Sequence, residues 1–531
     1  MRLLASFALL LLAACGSGGT PAASAPTSPP PTVPPSAVDP ADYGYKGSAT
    51  FLAPTGADDF VALGADPTGE TDSLPVLLDW FANDGETLYI PEGTYLLDVS
   101  SHLSGIVASR SFSIVGAGEE LVTLKMGPDA ISSSCSLVSI NGACDVTLQG
   151  FHVEGPALTP PFYYEQLMTS LVFGNTVTST TPTNVTVDHV TWDHLTNAFA
   201  FFGGSTTPTT LTLTNFVSRC YVGGISFYRD YDHDHFVNLA HGSFLAYGVP
   251  AADNPYGNGD RGTAVYIHGV INYDLTDVYF QSEGDGTFSS FKCGGGQDQT
   301  RGITRQHMDS CYVDTHGGFM LLDGWVPTTV ERSMFMNAPE GTTHLLGGNG
   351  VTFIECGFDV EAILCGGSGN KTYGFVDCTF HKFGLRVAEN GIRVFVVGGS
   401  TLYPEANQSP GWFLRMDQNT TSDVFIGAHT FTSEITTWDG ATTTLLVEGG
   451  TLRLSNVTFA GRWRNGADAA PLSITSSANV QKVTTRDCVW DMGERWGIAI
   501  DGPHGRDVLF TTNTSLGGAR VSDPYEEMIG D

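Results

Sequence analysis

The chain has 531 residues and a formal net charge of -32 at pH 7, from 24 basic and 56 acidic residues. This charge disfavours nucleic acid as a partner, and it disfavours a polyanionic glycan unless a local basic cluster or a bridging cation intervenes. Charged residues make up only 15% of the chain and there are 64 glycines, which favours β structure with many turns.

The N-terminus has the pattern of a secretory signal. Met1-Arg2 precedes an apolar run from Leu3 to Leu12, and small residues follow it. A basic start, a short apolar segment and small residues before a cleavage point are typical of a signal peptide. The run is too short to span a bilayer, and the sequence contains no second apolar run of spanning length.

The end of this segment carries a more specific pattern. Leu12-Ala13-Ala14-Cys15 resembles the lipobox of bacterial lipoproteins, which implies cleavage before Cys15 and lipidation of its thiol. The alternative is an ordinary secretory peptide. We predict a signal peptide over residues 1–14 and a lipidated, disordered Pro/Ala/Ser/Thr tether over 15–40. The expected location is the cell envelope, with a lipid anchor in a membrane on its periplasmic or extracellular face.

Residues 71–83 carry the clearest helix signal. Capping residues precede a proline in the first turn, and one face is apolar. That face consists of Leu74, Leu77, Leu78 and Phe81. The open edge of a first coil must be covered, because it would otherwise pair with other chains. We therefore assign residues 41–110 to an N-terminal cap and the first coils.

Further along the chain, a short pattern of β-forming residues returns four times, and its last residues are 23, 22 and 22 positions apart. This period predicts short strands wound into a solenoid, with alternate apolar side chains pointing inward. Two short strands, a bend and a third strand would make a three-sided coil over residues 111–518, followed by an acidic tail over 519–531. The alternative, an antiparallel sandwich, is disfavoured by the constant spacing. The copies are Val330-x-x-Ser333-x-Phe335, Val351-x-Phe353-x-x-Cys356-x-Phe358, Tyr373-x-Phe375-x-x-Cys378-x-Phe380 and Phe395-x-Val397-x-x-Ser400-x-Leu402.

A family resemblance lies in the N-terminal segment. The string Gly64–Asp72, the predicted helix and then Tyr89–Tyr95 resemble the N-terminal opening of the pectate-lyase-like superfamily. The resemblance implies an all-β, right-handed parallel β-helix with three-sheet coils and a short N-terminal capping helix. It implies fold rather than function, because the superfamily contains polysaccharide lyases, glycosidases, epimerases and phage tailspikes.

Several cysteines share one position of the repeat, the sixth in the copies above. Cys356 and Cys378 would lie on consecutive coils, about 4.8 Å apart. That separation permits a disulfide, and it equally permits a ladder of buried free thiols, which we favour. Cys135 and Cys144 flank a predicted turn and are the better disulfide pair.

One stretch, from about residue 219 to residue 325, is rich in charge. When the third strands are aligned by their apolar residues, Asp230, His268, Lys292 and Asp323 follow the strand in successive coils, about 5 Å apart per step. We predict these four as catalytic residues; the alternative is that they are ordinary solvent-exposed residues at the strand ends. Aromatic insertions in the same region would form a groove for sugar rings. The predicted substrate-binding residues are Arg229, Tyr163, Tyr164 and Trp325.

The residue types in this column allow two chemistries. Glycoside hydrolysis needs two carboxyl groups within about 5–9.5 Å, and Asp230 and Asp323 are three steps apart, which is too far unless loops bend them together. Elimination needs a base and a group that neutralises the substrate carboxylate, for which Lys292, His268 and Arg229 have the right types. The specific polygalacturonase pattern is disfavoured, because neither Gly-His-Gly nor Arg-x-Lys occurs.

The densest string of potential metal ligands runs from Asp230 to His235. In an extended segment Asp232 and Asp234 would share one face. Oxygen ligands suit calcium, and mixed histidine and aspartate suit a transition metal. We predict Asp232 and Asp234 as ligands of Ca²⁺; the alternative is a solvated turn.

Together these patterns predict a surface-anchored β-helix protein that acts on a polysaccharide, as a lyase or a glycoside hydrolase, with no nucleic-acid partner. The alternative is a non-catalytic glycan-binding or surface-display lipoprotein built on the same coils.

Overall fold

The structure is a computed structural model. It describes residues 39–99, 104–127, 135–140, 143–156, 168–173, 183–195, 197–201, 209–220, 223–227, 235–246, 265–267, 271–282, 291–293, 305–315, 319–322, 328–336, 343–347, 350–360, 362–366, 370–381, 384–403, 412–418, 420–433, 444–461, 471–474, 479–491, 496–500, 507–516 and 520–522.

The described strands form two long parallel sheets, so the chain is an all-β parallel β-helix, as predicted. In the larger one, the bent sheet, 28 described strands supply two sides of each coil. Its strands are Asp58–Asp59, Thr87–Ile90, Gly93–Leu97, Phe112–Gly116, Val122–Met126, Asp145–Glu154, Thr183–Asp193, Thr209–Cys220, His235–Ala246, Ile271–Ser282, Gln306–Asp309, Tyr312–Thr315, Thr328–Glu331, Met334–Met336, Val351–Ile354, Gly357–Asp359, Lys371–Val376, Thr379–His381, Ile392–Val397, Ser400–Tyr403, Asp423–Gly427, Thr430–Ser433, Gly450–Ser455, Thr458–Gly461, Val480–Arg486, Val489–Asp491, Asp507–Thr511 and Thr514–Leu516.

The third side of each coil belongs to a second sheet, the flat sheet, with 16 described strands. One short strand, Arg520–Ser522, lies in the segment predicted as an acidic tail. The strands of the flat sheet are Ser104–Ala108, Cys135–Ile140, Met168–Phe173, Asn197–Phe201, Gly223–Phe227, Val265–Ile267, Phe291–Cys293, Phe319–Leu322, Thr343–Gly347, Ala362–Cys365, Leu385–Val387, Leu414–Met416, Leu445–Val447, Leu472–Ile474, Trp496–Ile500 and Arg520–Ser522.

The bent sheet turns its corner through one residue per coil in the left-handed region of backbone space. In the repeat Val351-x-Phe353-x-x-Cys356, the second residue of the two-residue spacer is Glu355, with φ 55°. Its N–H donates to the carbonyl of Val376 in the next coil at 2.8 Å, so the corners form a hydrogen-bonded ladder. The corner residues are Gly150, His189, Asn215, His241, Asp277, Ser310, Arg332, Glu355, Asp377, Gly398, Ala428, Asn456, Asp487 and Thr512.

We expect Glu355→Asn to stabilise the protein slightly. Residues other than Gly, Asn and Asp resist the left-handed conformation, which costs them about 1–2 kcal/mol. Asn215 and Asn456 already occupy equivalent corners. Urea unfolding should give a free energy higher by about 0.5–1 kcal/mol, half or less of that cost. The control Thr352→Asn, in the same strand, should give no gain. A free energy of unfolding lower for Glu355→Asn than for the native protein would show that this corner is not strained.

At several corners the next residue has a polar side chain that lies in the core and donates to a backbone carbonyl. The thiols of Cys356 and Cys378 lie 3.4 Å from the carbonyl oxygens of the residues two positions earlier, and the hydroxyl of Ser333 does the same at 2.8 Å. Both cysteines are free and buried, so the predicted thiol ladder is confirmed and the disulfide alternative is wrong. The side chain of Cys135 lies outside the described residues, and its pairing with Cys144 stays a prediction.

His429 occupies the same interior position and is held in the neutral form. Its side chain is fully buried. Nδ1 donates to the carbonyl of Gly398 at 2.7 Å, and Nε2 lies 2.9 Å from the hydroxyl oxygen of Thr401. Burial lowers the pKa of His429 to about 4, because the charged imidazolium would lose its hydration.

We expect His429 to make the fold sensitive to mild acid. An unfolded histidine has a pKa of about 6.5, so between pH 6.5 and 4 the unfolded chain binds more protons than the folded one. Stability is therefore full above pH 6.5 and falls by roughly 3 kcal/mol as the pH approaches 4. His429→Asn introduces the residue that Asn513 provides at the same position of a later coil, and it should lose less stability between pH 7.5 and 4.5. Equal losses in urea unfolding would contradict this role.

The N-terminal cap forms as predicted, with one correction. The helix spans Leu74–Ala82, within the predicted segment 71–83. Trp80, not assigned to the apolar face from the sequence, is buried with Leu74 and Leu77, while Leu78 and Phe81 are only partly buried. No helix among the described residues has the length and apolar character needed to cross a membrane.

The string that resembles the pectate-lyase-like superfamily is a structural turn before this helix. The carboxylate of Asp66 accepts the N–H and hydroxyl hydrogens of Thr68 at 2.9 and 2.7 Å and those of Thr71 at 2.8 and 2.9 Å. These hydrogen bonds lower the pKa of Asp66 well below its usual range, and the one from the Thr68 hydroxyl has the largest effect. The motif therefore fixes the chain ahead of the cap.

A strap, residues 39–57, runs along the corners of the N-terminal half and begins with a 3₁₀ turn at Pro40–Asp42. The ring of Tyr43 lies 5.2 Å from that of Tyr312, and the N–H of Gly44 donates to Asp277 at 3.0 Å. At its other end the N–H of Phe51 donates to the carbonyl of Ala117 at 2.8 Å. The strap thus covers the corners of the bent sheet in this half of the chain.

Candidate functional site

Most of the predicted site residues lie outside the described residues, so their roles stay predictions. For Lys292 the structure describes the backbone, which lies in the strand Phe291–Cys293, but not the side chain. The predicted residues outside the described ranges are Asp230, His268, Asp323, Arg229, Tyr163, Tyr164, Trp325, Asp232, Asp234 and Cys15.

The third strands beside the predicted catalytic residues are consecutive in the flat sheet. Gly223–Phe227, Val265–Ile267, Phe291–Cys293 and Phe319–Leu322 pair in that order. This confirms that Asp230 and Asp323 follow strands three steps apart. At about 4.8 Å per step the separation is roughly 14 Å.

The predicted position of Lys292 relative to its strand is wrong. Lys292 is the middle residue of the strand and pairs with Tyr266 and Met320, whereas His268 comes directly after its own strand. The reason is that Cys293 pairs with Ile267, so the strand continues two residues further than the apolar alignment assumed. Lys292 and His268 are therefore two register positions apart on neighbouring coils.

Strand register shows which face the Lys292 position belongs to. The column continues from Lys292 through Met320, Leu345 and Leu364 to Arg386 and Arg415. Its described side chains are at least partly exposed, whereas Leu385 and Val387, which flank Arg386, are buried. Alternate residues of a strand lie on opposite faces, so the Lys292 position is on the outer face of the flat sheet.

This outer column combines residue types that suit a glycan. In register order it reads Ser226, Tyr266, Lys292, Met320 and Leu345. Aromatic and apolar positions next to a cation can pack on a sugar ring and hold its polar groups. Neighbouring positions are about 4.8 Å apart along the rod, so an extended polysaccharide could follow the column over several coils.

Further along the column the two arginine side chains form ion pairs. Both Arg386 Nε and Nη2 donate to Asp417, at 2.9 and 2.8 Å. Arg415 Nε lies 3.0 Å from Asp417 and 3.1 Å from Glu448. The hydrogen bonds that Arg386 donates to Asp417, more than the negative charge of Asp417, raise the pKa of Arg386. Here the arginines tie neighbouring coils together.

Two aspartates on the bent sheet each hold a histidine and an arginine, and sequence reasoning missed both groups. Asp274 lies 2.9 Å from His307 Nδ1 and 2.5 Å from Arg305 Nη2. The second group is centred on Asp193. This second group could have been found from the sequence. When the repeats are aligned at Phe151, Val190 and Phe216, the charged residues three positions later fall into one column. Among the described residues, no group of three or more His, Cys, Asp or Glu side chains could hold a metal ion.

Comparison with known protein families finds no match, and neither does comparison with curated proteins. Solved structures that resemble the chain include the A-module of a mannuronan C-5 epimerase from Azotobacter vinelandii, at 10% identity and TM-score 0.30, covering 86% of this chain and 99% of that one. A Streptomyces thermodiastaticus α-1,3-glucanase catalytic unit matches at 14% and 0.31, covering 90% and 72%. A Pseudomonas phage LKA1 tailspike matches at 11% and 0.41, covering 81% and 82%. All three TM-scores lie below 0.5, so the fold assignment rests on the strand pairing itself.

Proposed function

We propose that this protein is a polysaccharide lyase whose substrate lies along the outer column of the flat sheet. The observation that supports this is the register pairing of Lys292 with Tyr266 and Met320, on the face whose described side chains are at least partly exposed. A cation beside an aromatic position on an open face suits an acidic sugar in an extended chain.

Elimination fits these residues better than hydrolysis. One base removes the proton next to the sugar carboxylate, the C–H electron pair forms a carbon–carbon double bond, and the bond to the glycosidic oxygen breaks so that this oxygen leaves with a proton from solvent. One cation is needed to neutralise the carboxylate during this step. His268 is the proposed base and Lys292 the proposed cation, with Arg229 as a second one. Hydrolysis would need two carboxyl groups within about 9.5 Å, and the strands before Asp230 and Asp323 are roughly 14 Å apart.

The net charge of -32 requires the acidic substrate to be held by this local cation cluster, because the whole chain repels polyanions. The proposal also includes the lipid anchor at Cys15, which would hold the enzyme at a cell-envelope membrane. Asp232 and Asp234 could add a bridging Ca²⁺ between protein and substrate carboxylates.

A screen of the purified protein against acidic and neutral polysaccharides tests the proposal. A lyase gives unsaturated products that absorb ultraviolet light, whereas a hydrolase gives reducing ends without that absorbance. We expect the unsaturated product from at least one acidic polysaccharide. Reducing ends alone would replace elimination by hydrolysis, and the absence of both from the whole panel would contradict an enzyme.

A non-catalytic glycan-binding protein is the second candidate, and one observation favours it. Acid catalysts commonly have carboxyl groups with raised pKa values. The shifted carboxyl groups among the described residues, Asp66, Asp188 and Asp193, all have lowered pKa values. A protein of this kind would bind polysaccharide in the same screen without forming any product.

A further inference from the structure

The outer column of the flat sheet has cations at two places, with uncharged positions between them. In register order the column reads Lys292, Met320, Leu345, Leu364 and Arg386. Arg386 is four register steps from Lys292, which is roughly 19 Å at about 4.8 Å per step. Arg415 is the next partner beyond Arg386, so the far cationic group contains two arginines on neighbouring coils.

Two carboxylates hold these arginines in place. Arg386 Nε and Nη2 both donate to one oxygen of Asp417. Arg415 Nε donates to Glu448 at 3.1 Å. The arginine side chains are 49% and 38% exposed, whereas Asp417 and Glu448 are only 18% and 13% exposed. The acids are therefore the more deeply buried partners, and a ligand that arrives from solvent meets the guanidinium groups first.

The ion pairs leave hydrogen-bond donors on both guanidinium groups, each of which carries five N–H bonds. In the part of the chain that the structure describes, Arg386 uses Nε and Nη2 for its polar contacts, and Arg415 uses only Nε. Nη1 of Arg386 and both Nη atoms of Arg415 are therefore available to a ligand. Arginine donors suit a carboxylate, which accepts hydrogen bonds through two oxygens.

The positions between the two cationic groups have apolar residue types. They are Met320, Leu345 and Leu364, and the next partner beyond Arg415 is Leu446, which is also apolar. A polymer of acidic sugars alone would place carboxylates over positions where the column has no cation to replace their lost hydration. Neutral sugar rings can pack on apolar residues instead. The column therefore matches acidic groups that are spaced apart along the ligand.

We propose that Arg386 and Arg415 form a distal subsite for an acidic sugar, and that the substrate is an acidic heteropolysaccharide whose acidic sugars are separated by neutral ones. The inference rests on the proposed function, because it takes Lys292 as the cation at the cleaved bond. The two cationic groups bind two acidic sugars of one extended chain, and the apolar positions take the neutral sugars between them. The two arginines act away from the cleaved bond, so they determine specificity.

Cleavage assays with the full chain compare two kinds of acidic polysaccharide. Gellan and hyaluronan have neutral sugars between their uronic acids, whereas polygalacturonate and alginate consist of uronic acids only. We expect kcat/KM for gellan or hyaluronan to exceed that for either polyuronate by about tenfold, the scale of one hydrogen bond to a charged group. Equal or faster cleavage of a polyuronate would overturn the inference.

Arg415→Gln tests the distal subsite itself. With the heteropolysaccharide that the native protein cleaves, the variant should raise KM by about tenfold and leave kcat unchanged, because the lost contact binds substrate and transition state equally. An unchanged KM would overturn the subsite.

The chain supplies a matched control in Arg453→Gln. Arg453 is 54% exposed and lies 3.2 Å from Asp423 on the bent sheet, so this variant loses the same charge and a similar ion pair from another face. Its KM should stay native. Thermal melting of both variants checks the structural role, which would lower Tm without a selective change in KM. An equal rise in KM for Arg453→Gln would overturn the subsite.

Affinity electrophoresis in gels that contain gellan or hyaluronan separates failure of this inference from failure of the proposed function. Retardation of the native protein that Arg415→Gln weakens, without any cleavage, would remove the lyase and support the subsite. Cleavage of polygalacturonate or alginate alone would support the lyase and remove the subsite. If neither heteropolysaccharide were cleaved or retarded the protein, the inference would be overturned.

Discussion

Lys292→Ala should lower the rate of polysaccharide cleavage by at least about 100-fold, because removing one group that stabilises developing charge commonly costs about 10²–10³ in rate. The proposed reason is that the ammonium group neutralises the sugar carboxylate as the adjacent proton leaves. Without it, only the second proposed cation, Arg229, would offset the negative charge that develops in the transition state. The ultraviolet absorbance of unsaturated products measures the rate directly.

The matched control is Lys482→Ala, which removes a partly exposed lysine from the strand Val480–Arg486 of the bent sheet. This variant loses the same charge from a different face of the rod and should cleave at the native rate. His268→Ala should resemble Lys292→Ala. If Lys292→Ala kept native activity, or if Lys482→Ala lost as much, the outer column of the flat sheet would not be the reaction site.

Phe358→Ala should reduce the free energy of unfolding by about 3–5 kcal/mol, the usual cost of removing a buried aromatic side chain. Phe358 is fully buried. Its ring stacks on Phe335 at 5.2 Å and on Phe380 at 5.3 Å in the coils on either side. Removing it leaves a cavity in a continuous aromatic stack and breaks contact between three coils. Urea or thermal unfolding measures the loss.

Phe425→Ala is the control for this loss. Phe425 lies on a strand of the same sheet, but its side chain is 37% exposed, so its removal should cost less than about 1 kcal/mol. A comparable loss from both variants would mean that the stack contributes no more than a surface residue. It would also weaken the view that each coil is stabilised mainly by stacking on its neighbours.

The coil could be predicted from the sequence because its determinants are local and repeated. Alternating apolar residues such as Val351 and Phe353 identify a strand with one buried face, and the constant spacing identifies stacking. The corner was harder to predict. Its left-handed position holds Glu355, Arg332 and Ala428 as well as asparagine and glycine, so residue type does not mark it, and only the two-residue spacer in the repeat does.

Side-chain groupings were less predictable, because they depend on register between distant segments. His152 and Asp193 are 41 positions apart in the sequence, yet they lie 2.9 Å apart. The insertions that follow Glu154 vary the length of each turn and hide the period. Apolar alignment of the third strands had the same weakness: it identified the correct coils but displaced Lys292 from the strand that contains it.

The most direct test is a crystal structure of the Lys292→Ala protein with an oligosaccharide of the polysaccharide that the native protein cleaves. We predict electron density for a sugar chain along the outer face of the flat sheet, with one ring over Tyr266 and an acidic group facing the vacated position 292. Density at the bent sheet alone, with the flat sheet bare, would contradict the proposed site.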